Sequence, residues 1–336
     1  MPPTHPRPAS FRPAPTGVTR RHFLGRSAGA VAAWRGISGA AAPRDPPALA
    51  SRPTDEALEV RLPGGAEILR YHRRPPAGTP IASAGFFHPL ATPAGVVVTD
   101  LSPGDHPHHR GVFLGWVEMH GAKDADFWGW GAHAPIRDRR IRSEWLRQAR
   151  MGGPVVQFAA RNRWEAEDTL VLTEDLAARF RVEEQASILD LEYQLQPAAD
   201  LTLARWAFSG FCLRMRQDGK ATLHAPAGPV TLPDPVHTRP ETDAPDAPWY
   251  ALALELPDGR KCGGAVLNHP ANPPTLWHNP RSIRMLNPCV VAPGSLLWKG
   301  GAQVRLRYRV VAFDGDLPVT RLNALAAEWA RRPGRE

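Results

Sequence analysis

The chain has 336 residues, with 41 basic and 33 acidic side chains and a formal net charge of +8. Six arginines and no acidic residue fall in the first 42 positions, so the rest of the chain carries only +2. This near-neutral charge argues against a nucleic-acid partner. No stretch has the roughly 18 to 20 consecutive apolar residues that a membrane-spanning helix requires.

The N-terminal segment carries a twin-arginine motif. Thr19–Leu24 reads TRRHFL, and an Ala- and Gly-rich stretch with small residues near Gly39–Ala41 follows it. This pattern is typical of export signals. We therefore expect residues 1–42 to be a leader that the twin-arginine translocase handles, residues 43–56 to be a linker, and the protein to be periplasmic or secreted. A disordered Pro- and Arg-rich tail is the alternative, because two arginines interrupt the apolar stretch.

Short apolar runs separated by Gly, Pro and Asp follow from residue 57 onward, which is the pattern of short strands. Alternate apolar residues from Leu189 to Leu195 predict a strand with one buried face. Strands are predicted at Ala57–Leu62, Ala66–His72, Gly111–Val117, Val155–Arg163, Leu170–Leu172, Ala178–Glu183, Ile188–Leu195, Leu201–Phe208, Ala221–His224, Trp249–Leu256, Gly264–Leu267, Ser282–Leu286 and Val304–Phe313. So many strands predict an all-β fold, a large antiparallel β-sandwich, as a single domain over residues 57–330.

One helix is predicted near the C-terminus, where Thr320 can cap its first turn. Its apolar face consists of Leu322, Leu325, Ala326 and Trp329. We expect this helix to pack against the edge of a sheet. The Pro-rich stretch Pro226–Pro248 is expected to be a plain connection between strands, because proline removes donors from a strand ladder.

Two segments concentrate polar groups. Asp105–Gly111 reads DHPHHRG, with three histidines in four positions, and imidazoles bind metals, transfer protons and hydrogen bond to ligands. Asn268–Asn279 contains His269 and His278, and its three prolines restrict the backbone. Within it, His269 and Asn272 are candidate ligand-binding residues. We expect one site built from both segments.

The first interpretation of this site is a metal centre. His106 and His108 are alternate residues, so in an extended segment their side chains project to one side. Asp105 or a distant histidine such as His269 would complete the ligand set for a divalent metal. This interpretation predicts a metal-dependent oxidoreductase.

The second interpretation needs no metal. His108 or His109 would act as acid or base near neutral pH, and Arg110 would bind an anionic or hydroxyl group of the ligand. The downstream segment Phe127–Gly131 supplies Trp128 and Trp130, whose flat faces can stack on a sugar ring. This interpretation predicts a carbohydrate-binding site.

Five segments, taken in order, resemble the PmoA family, a bacterial domain family of unknown function often labelled methane oxygenase. They are Phe86–Leu90, His106–Gly111, Asp126–Trp128, Gly264–Pro273 and Tyr308–Asp316. The resemblance extends from Glu59 to Ala330. It implies an all-β galactose mutarotase-like supersandwich, whose sites lie on a concave sheet face and bind carbohydrates. Literal methane oxidation is not expected, because the membrane methane oxygenase is built from transmembrane helices.

The resemblance also implies site residues. The positions that match the family's motifs are His88, His106, His108, His109, Trp128, Glu174, Arg214, His269, Asn272 and Trp277. On this basis His88 and Trp277 are expected to contact ligand, and Arg214 to bind an anionic or hydroxyl group.

The sequence thus predicts an exported protein that binds a carbohydrate or sugar acid and transforms it by histidine acid–base chemistry, as a lyase, isomerase or hydrolase. One alternative is the metal-dependent oxidoreductase, with His106, His108 and His269 as ligands. The other is a non-catalytic carbohydrate-binding protein.

Overall fold

The computed structural model describes residues 45–130, 139–150, 152–316 and 319–333, so the predicted leader lies outside the described residues. Within them the chain forms strands, one 3-10 turn at Pro240–Thr242 and one α-helix. In chain order the elements are β1 (Leu49–Pro53), β2 (Ala57–Arg61), β3 (Glu67–His72), β4 (Phe86–Leu90), β5 (Val112–Gly115), β6 (Met119–His120), β7 (Arg139–Arg150), β8 (Gly152–Gly153), β9 (Val155–Ala166), β10 (Thr169–Val182), β11 (Ala186–Pro197), β12 (Leu201–Leu203), β13 (Gly210–Arg214), β14 (Lys220–Ala225), β15 (Gly228–Pro229), β16 (Trp249–Glu255), β17 (Lys261–Asn268), β18 (Leu276–Trp277), β19 (Met285–Leu286), β20 (Pro288–Cys289), β21 (Leu296–Trp298), β22 (Val304–Asp314) and α1 (Val319–Arg331).

Two large sheets form the body of the fold. The first sheet has the strand order β19-β13-β5-β4-β3-β2-β1-β8, and the second sheet has the order β15-β14-β16-β17-β22-β11-β10-β9-β7. Strands β21-β12-β6 and β18-β20 form two smaller sheets. The long neighbours β10, β11 and β22 pair antiparallel over most of their lengths. The prediction of an all-β antiparallel sandwich with a C-terminal helix is therefore confirmed.

The main hydrophobic core lies between the two large sheets. Every second side chain of β9 is buried, and the alternate residues of β11 from Leu189 to Leu195 are at most 1% exposed, as their periodicity predicts. The ring of Tyr71 on β3 lies 5.2 Å from that of Phe158 on β9, measured between centroids. Aromatic and aliphatic side chains of both sheets thus form one cluster, and its burial is the main stabilising contribution to the fold.

Helix α1 packs on the middle of the second sheet, and the prediction that it would cover a sheet edge is wrong. Its buried residues Leu322, Leu325 and Trp329 form a second cluster with apolar residues of β11, β16, β17 and β22. These strands occupy central positions in the sheet. Both faces of β11 are consequently buried over Ala186–Leu191.

The predicted strands differ from the observed ones in several places. Strands β4 and β13 were not predicted, and of the predicted strand Leu201–Phe208 only Leu201–Leu203 is a strand. Leu170–Leu172 and residues 178–182 are parts of the single strand β10, because the alternation of buried and partly exposed side chains continues between them, with Glu174 and Leu176 on the buried face. The arginine-rich strand β7 was not predicted, since its sequence, RRIRSEWLRQAR, lacks a regular alternation of apolar and polar residues. Strand β1 lies within residues 43–56, which were expected to be a linker, and it pairs with β2.

A third apolar cluster lies on the outer face of the first sheet. On β5, Val112 and Leu114 belong to the core between the sheets, whereas Phe113 points the other way. Phe113 packs there with Trp128 and Phe208, which come from loops. This layer supports the candidate site described next. No helix in the described part of the chain is long and apolar enough to cross a membrane.

Candidate functional site

A small pocket lies on the outer face of the first sheet, where three loops meet. Its cavity volume is about 10 Å³, room for about one water molecule and far below the roughly 300 to 1,000 Å³ that is usual for a drug-sized ligand, so a larger ligand would contact its open mouth rather than fill it. Its lining is aromatic and imidazole-rich, and it contains no Asp or Glu among the described residues. The lining residues are His106, His108, His109, Trp128, Trp130, Phe208, His237, Ile283 and Met285.

The segment Asp105–Gly111, which we call the histidine loop, is held in place by Arg214. This arginine ends strand β13 and is fully buried, and its Nη2 donates to both carboxylate oxygens of Asp105 at 2.8 Å. Burial alone would raise the pKa of Asp105, but hydrogen bonds from Arg214 and His106 outweigh it and hold the pKa at about 2. Arg214 is therefore a structural anchor of the loop rather than a residue of the pocket wall.

Arg214 and Asp105 together determine which ring nitrogen carries the proton in neutral His109 and in neutral His106. Arg214 Nη1 donates to Nδ1 of His109 at 3.3 Å, and arginine has no acceptor, so the proton of His109 lies on Nε2. The Nδ1 atom of His106 lies 3.0 Å from Oδ2 of Asp105, an ionised acceptor, so neutral His106 has a lone pair on Nε2. The pocket thus offers both a donor and an acceptor to a ligand hydroxyl.

The rings of Trp130, His106 and His109 form a stack. The centroid of His106 lies 5.9 Å from that of Trp130 and 4.9 Å from that of His109, with interplanar angles of 21° and 19°. Trp130 is 45% exposed, so one indole face is open to a ligand at the mouth of the pocket. Trp128, by contrast, is buried and forms part of the wall.

The segment Asp126–Trp130, which we call the tryptophan loop, approaches the histidine loop closely because of Gly129. Its φ is +107°, and a Cβ at this position would lie 2.9 Å from Cβ of His108, so no larger residue fits without displacement. Buried Asp126 fixes the turn by accepting hydrogen bonds from the backbone N–H groups of Trp128 and Gly129 at 2.7 and 2.6 Å. Asp126 is therefore a structural residue of the tryptophan loop.

Three of the pocket imidazoles, those of His108, His109 and His237, have lowered pKa values that favour the neutral ring. Burial lowers the pKa of His108 to about 3, and the neighbouring His106 and Arg110 contribute to this lowering. Burial, His108 and Arg214 together hold the pKa of His109 well below its ordinary value. Burial also lowers the pKa of His237. Neutral imidazoles can donate and accept hydrogen bonds to ligand hydroxyls, whereas a pKa of about 3 makes His108 a weak base near neutral pH.

The Pro-rich loop supplies His237, which the sequence analysis missed because it treated Pro226–Pro248 as a plain connection. His237 Nδ1 lies 2.9 Å from Nε2 of His278, and Nδ1 of His278 lies 2.6 Å from Oδ1 of Asp243. The side chains of His278 and Asp243 are fully buried. The sequence signal was His278 in the second polar segment, but its partners on a distant loop could not be inferred.

Arg110 is structural, and the prediction that it binds ligand does not match its position. It is 1% exposed and stacks over the ring of Phe113 at 4.3 Å. Its Nη2 donates to the backbone carbonyls of Leu114 and Phe127 at 3.2 and 3.0 Å. Its donors thus tie the histidine loop to strand β5 and the tryptophan loop, behind the pocket.

Four other predicted ligand contacts lie outside the pocket lining. His88 on β4 is hydrogen bonded to Thr99 through Nδ1 at 3.0 Å, and burial lowers its pKa to about 4. Trp277 is fully buried against Tyr250. His269 and Asn272 belong to a loop that is bound to strand β22.

In that loop, His269 packs edge-on against Trp329 of helix α1 and its Nε2 accepts from Arg307 at 2.7 Å. Asn272 Oδ1 accepts from the backbone N–H of Arg307 at 2.8 Å. The prolines of this segment therefore hold a strand connection. The expectation that His269 shares a site with the histidine loop is wrong, and the residue of this segment nearest the pocket is His278, which contacts the lining residue His237 without lining the pocket itself.

The predicted metal set is accordingly not assembled. His106 and His108 line the pocket, whereas His269 contacts the C-terminal helix. Within the described ranges no group of three or more His, Cys, Asp or Glu side chains has an arrangement that could hold a metal ion.

Glu174 matched the resemblance but is a core residue. It is 1% exposed and accepts hydrogen bonds from Asn162 Nδ2 at 2.8 Å and Trp164 Nε1 at 2.9 Å. Burial raises its pKa to about 7, although these two hydrogen bonds oppose the rise. This buried polar cluster joins the two sheets through Tyr71, which is hydrogen bonded to Asn162.

Several solved structures are similar in fold. The α-galactosidase AgaA from Geobacillus stearothermophilus matches with 9% identity and a TM-score of 0.38 over 80% of this chain, which spans about 40% of that enzyme's chain. A galactose mutarotase related enzyme from Lactobacillus acidophilus matches with 8% identity and a TM-score of 0.34, covering 80% of this chain and 97% of that one. A GalM/aldose epimerase homologue from C. elegans has 10% identity and a TM-score of 0.33, covering 80% and 99%. None of the curated proteins matches the sequence.

The family comparison corrects the resemblance to the PmoA family. The matching family model is a different one, and it covers residues 58–327, which include the histidine loop, the tryptophan loop and the Pro-rich loop. The chain therefore belongs to DUF6807, a family of unknown function.

Proposed function

We propose that this protein binds a carbohydrate or sugar acid at the pocket on the first sheet and transforms it by imidazole acid–base chemistry. The observation that carries the proposal is the convergence of four neutral or hydrogen-bonded imidazoles and one open indole face on a single pocket. Sugar rings present apolar C–H faces for stacking and hydroxyls for paired donors and acceptors. The lining supplies both.

The lining favours proton transfer over hydrolysis by paired carboxylates. A glycosidase of the usual kind needs two carboxyl groups on either side of the scissile bond, and the described lining residues contain none. Asp105, the nearest acid in the loop, is occupied by Arg214 and His106. Elimination or isomerisation, which need an acid and a base, fits the histidines better.

Ligand binding is testable with the sugars themselves. We expect one or more of galactose, glucose, galacturonate and glucuronate to raise the melting temperature of the full chain and to change its tryptophan emission. Trp130→Ala should weaken that binding about fivefold, since aromatic contacts contribute on the order of 1 kcal/mol. Trp145→Ala is the matched control, because Trp145 lies on the second sheet in the surface groove near Arg161, and it should bind as the parent does.

Chemistry is separated from binding by proton exchange. The bound sugar is incubated with protein in D2O, and NMR follows incorporation of deuterium at carbon. A catalytic site loses this exchange in His237→Gln while the affinity changes little, whereas a binding protein shows no exchange in either form. Equal loss of affinity in the Trp130 and Trp145 variants, or no binding by any of the four sugars, would count against the proposal.

Export to the periplasm is also a proposal, supported by the TRRHFL motif at Thr19–Leu24. A reporter fused to residues 1–42 should be exported, and replacing both Arg20 and Arg21 by Lys should abolish export. Arg12→Lys is the control and should leave export unchanged. Export that survives the double substitution would remove the twin-arginine assignment.

A further inference from the structure

A chain of three side chains runs from the pocket to a buried carboxyl group. His237 lies on the pocket wall, its Nδ1 lies 2.9 Å from Nε2 of His278, and Nδ1 of His278 lies 2.6 Å from Oδ1 of Asp243. No described residue is hydrogen bonded to Nε2 of His237, which leaves this nitrogen available to a ligand. We call these three residues the relay.

The backbone positions the relay. A β-bridge pairs Ala244 with Trp277 in antiparallel orientation, and in that register Asp243 stands opposite His278. Thr242 closes the loop by accepting a hydrogen bond from the backbone N–H of Val236 at 2.8 Å. This hydrogen bond fixes the backbone of Val236, which immediately precedes His237. Sheet pairing and a short loop bond thus align three residues from two distant segments.

Hydrogen-bond counting links the two ends of the relay. If Asp243 is ionised, it accepts from Nδ1 of His278, whose Nε2 then accepts from Nδ1–H of His237, and Nε2 of His237 presents a lone pair to the pocket. If Asp243 and His278 together hold one more proton, Nε2–H of His278 donates to His237, whose own proton then lies on Nε2. One proton at the buried end therefore converts His237 from acceptor to donor.

We propose that His237 is the residue that exchanges a proton with the ligand, and that Asp243, acting through His278, sets whether His237 accepts or donates. The inference rests on the proposed function only in assuming a ligand in the pocket. In the accepting direction, Nε2 of His237 takes a proton from the ligand, Nδ1 passes its proton to His278, and Nδ1 of His278 passes one to Asp243. Three protons each move one step, and the negative charge moves from Asp243 to the ligand.

The surroundings of the relay support titration near neutral pH. Burial and the charge of Glu241 raise the pKa of Asp243 to about 8, while burial lowers the pKa of His278 to about 3. The other groups that act electrostatically on the three residues are Asp234 on the same loop, His106 across the pocket and the Cys289 thiol of β20. The rings of Phe208 and Trp130 cover His237.

The test is a pH titration of the full chain labelled with ¹⁵N-histidine and with ¹³C at the aspartate carboxyl groups, without ligand. From pH 5 to pH 10 we expect Nε2 of His237 to change from the shift of a protonated ring nitrogen to that of an unprotonated one, with Nδ1 changing in the opposite sense. The midpoint should coincide with that of the Asp243 carboxyl signal. His237→Gln assigns the resonances.

Two variants separate the relay from a merely structural role. Asp243→Asn should abolish the pH-linked change at His237, whereas Asp234→Asn, on the same loop but paired with Arg281 at the surface, should retain it. A His237 tautomer that is the same at pH 5 and pH 10 in the parent, or a change that persists in Asp243→Asn, overturns the inference. If Asp243→Asn does not fold, the tautomer of His237 at pH 5 and pH 10 in the parent protein is sufficient to test the inference.

This outcome is independent of the sugar experiment. A tautomer change without sugar binding leaves the relay in place and removes the proposed function. Sugar binding without a tautomer change supports the proposed function and removes the relay. Carbethoxylation of His237 with diethyl pyrocarbonate, followed by peptide mass spectrometry, gives a second measurement, since the reagent attacks an unprotonated ring nitrogen. Its rate at His237 should rise at least threefold above pH 8 in the parent and not in Asp243→Asn.

Discussion

Replacing Asp243 by Asn should remove a pH dependence of the protein's stability. The pKa of this carboxyl group is raised from 3.8 to about 8 in the folded protein, so between these values the folded state holds a proton that the unfolded state has lost. The parent therefore loses stability as the pH rises through this window, by up to about 1.4 kcal/mol per pH unit. The full shift from 3.8 to about 8 would correspond to roughly 6 kcal/mol, and partial hydration of the site reduces the effect to about 2 to 4 kcal/mol.

The asparagine side chain of the Asp243→Asn variant does not titrate, so the variant lacks this loss. The amide Nδ2 takes the place of Oδ2 of Asp243, which has no hydrogen-bond partner, and a buried unsatisfied amide costs about 1 to 3 kcal/mol. We therefore expect Asp243→Asn to be less stable than the parent at pH 5, and as stable or more stable at pH 9. From pH 5 to pH 9, the difference in the free energy of unfolding between variant and parent should change by about 2 to 4 kcal/mol in favour of the variant.

Urea unfolding at five values from pH 5 to pH 9 measures this difference. Asp234→Asn is the control: burial would raise the pKa of Asp234, but hydrogen bonds from Arg281 and Ser282 outweigh it and lower the pKa in the folded protein. A lowered carboxyl pKa affects stability only in acid, below the measured window, so this variant should differ from the parent by a constant amount. Stability curves of the parent and Asp243→Asn that run parallel from pH 5 to pH 9 would refute the reasoning.

Three further outcomes follow from the packing. Arg214→Met should raise the pKa of Asp105 from about 2 toward its ordinary value, as ¹³C NMR of the carboxyl group would report, because the strongest donor to that carboxylate is removed. Trp329→Ala should destabilise the protein by about 3 to 5 kcal/mol in urea unfolding, the usual range for a buried tryptophan. Gly111→Ala should destabilise the protein by more than about 2 kcal/mol, since φ there is +67° and a Cβ would lie 2.2 Å from the carbonyl oxygen of Phe87. An unchanged urea midpoint in Trp329→Ala or in Gly111→Ala would contradict the corresponding estimate.

The sandwich could be predicted because its signal is local. Alternation along Leu189–Leu195 and the apolar face of Leu322–Trp329 are properties of a few consecutive residues, and each forces its segment to bury one side. The position of the helix on the sheet was not predictable in this way. It depends on Ile188 and Val311, whose outward-facing apolar side chains become meaningful only when the strand order is known.

The candidate site was predicted in part for the same reason. Three histidines in four positions are visible in residues 105–111 of the sequence, and they do line the pocket. His237, by contrast, is a single histidine in a proline-rich stretch, and its partners Asp243 and His278 meet through one β-bridge. Arg110 and Arg214 were expected in the pocket because arginines bind anions, but the loops use their donors for backbone and carboxylate oxygens.

The stack of Trp130 on His106 gives the pocket an optical property. An imidazolium beside an excited indole accepts an electron and quenches its emission, whereas a neutral imidazole does so weakly. Protonation of the ring beside Trp130 should therefore dim that indole, and a ligand that separates the two rings should remove this dimming. With 11 tryptophans in the chain, the difference spectrum between the parent and Trp130→Phe isolates this signal. The molecule thus contains its own fluorescent reporter of what occupies the pocket.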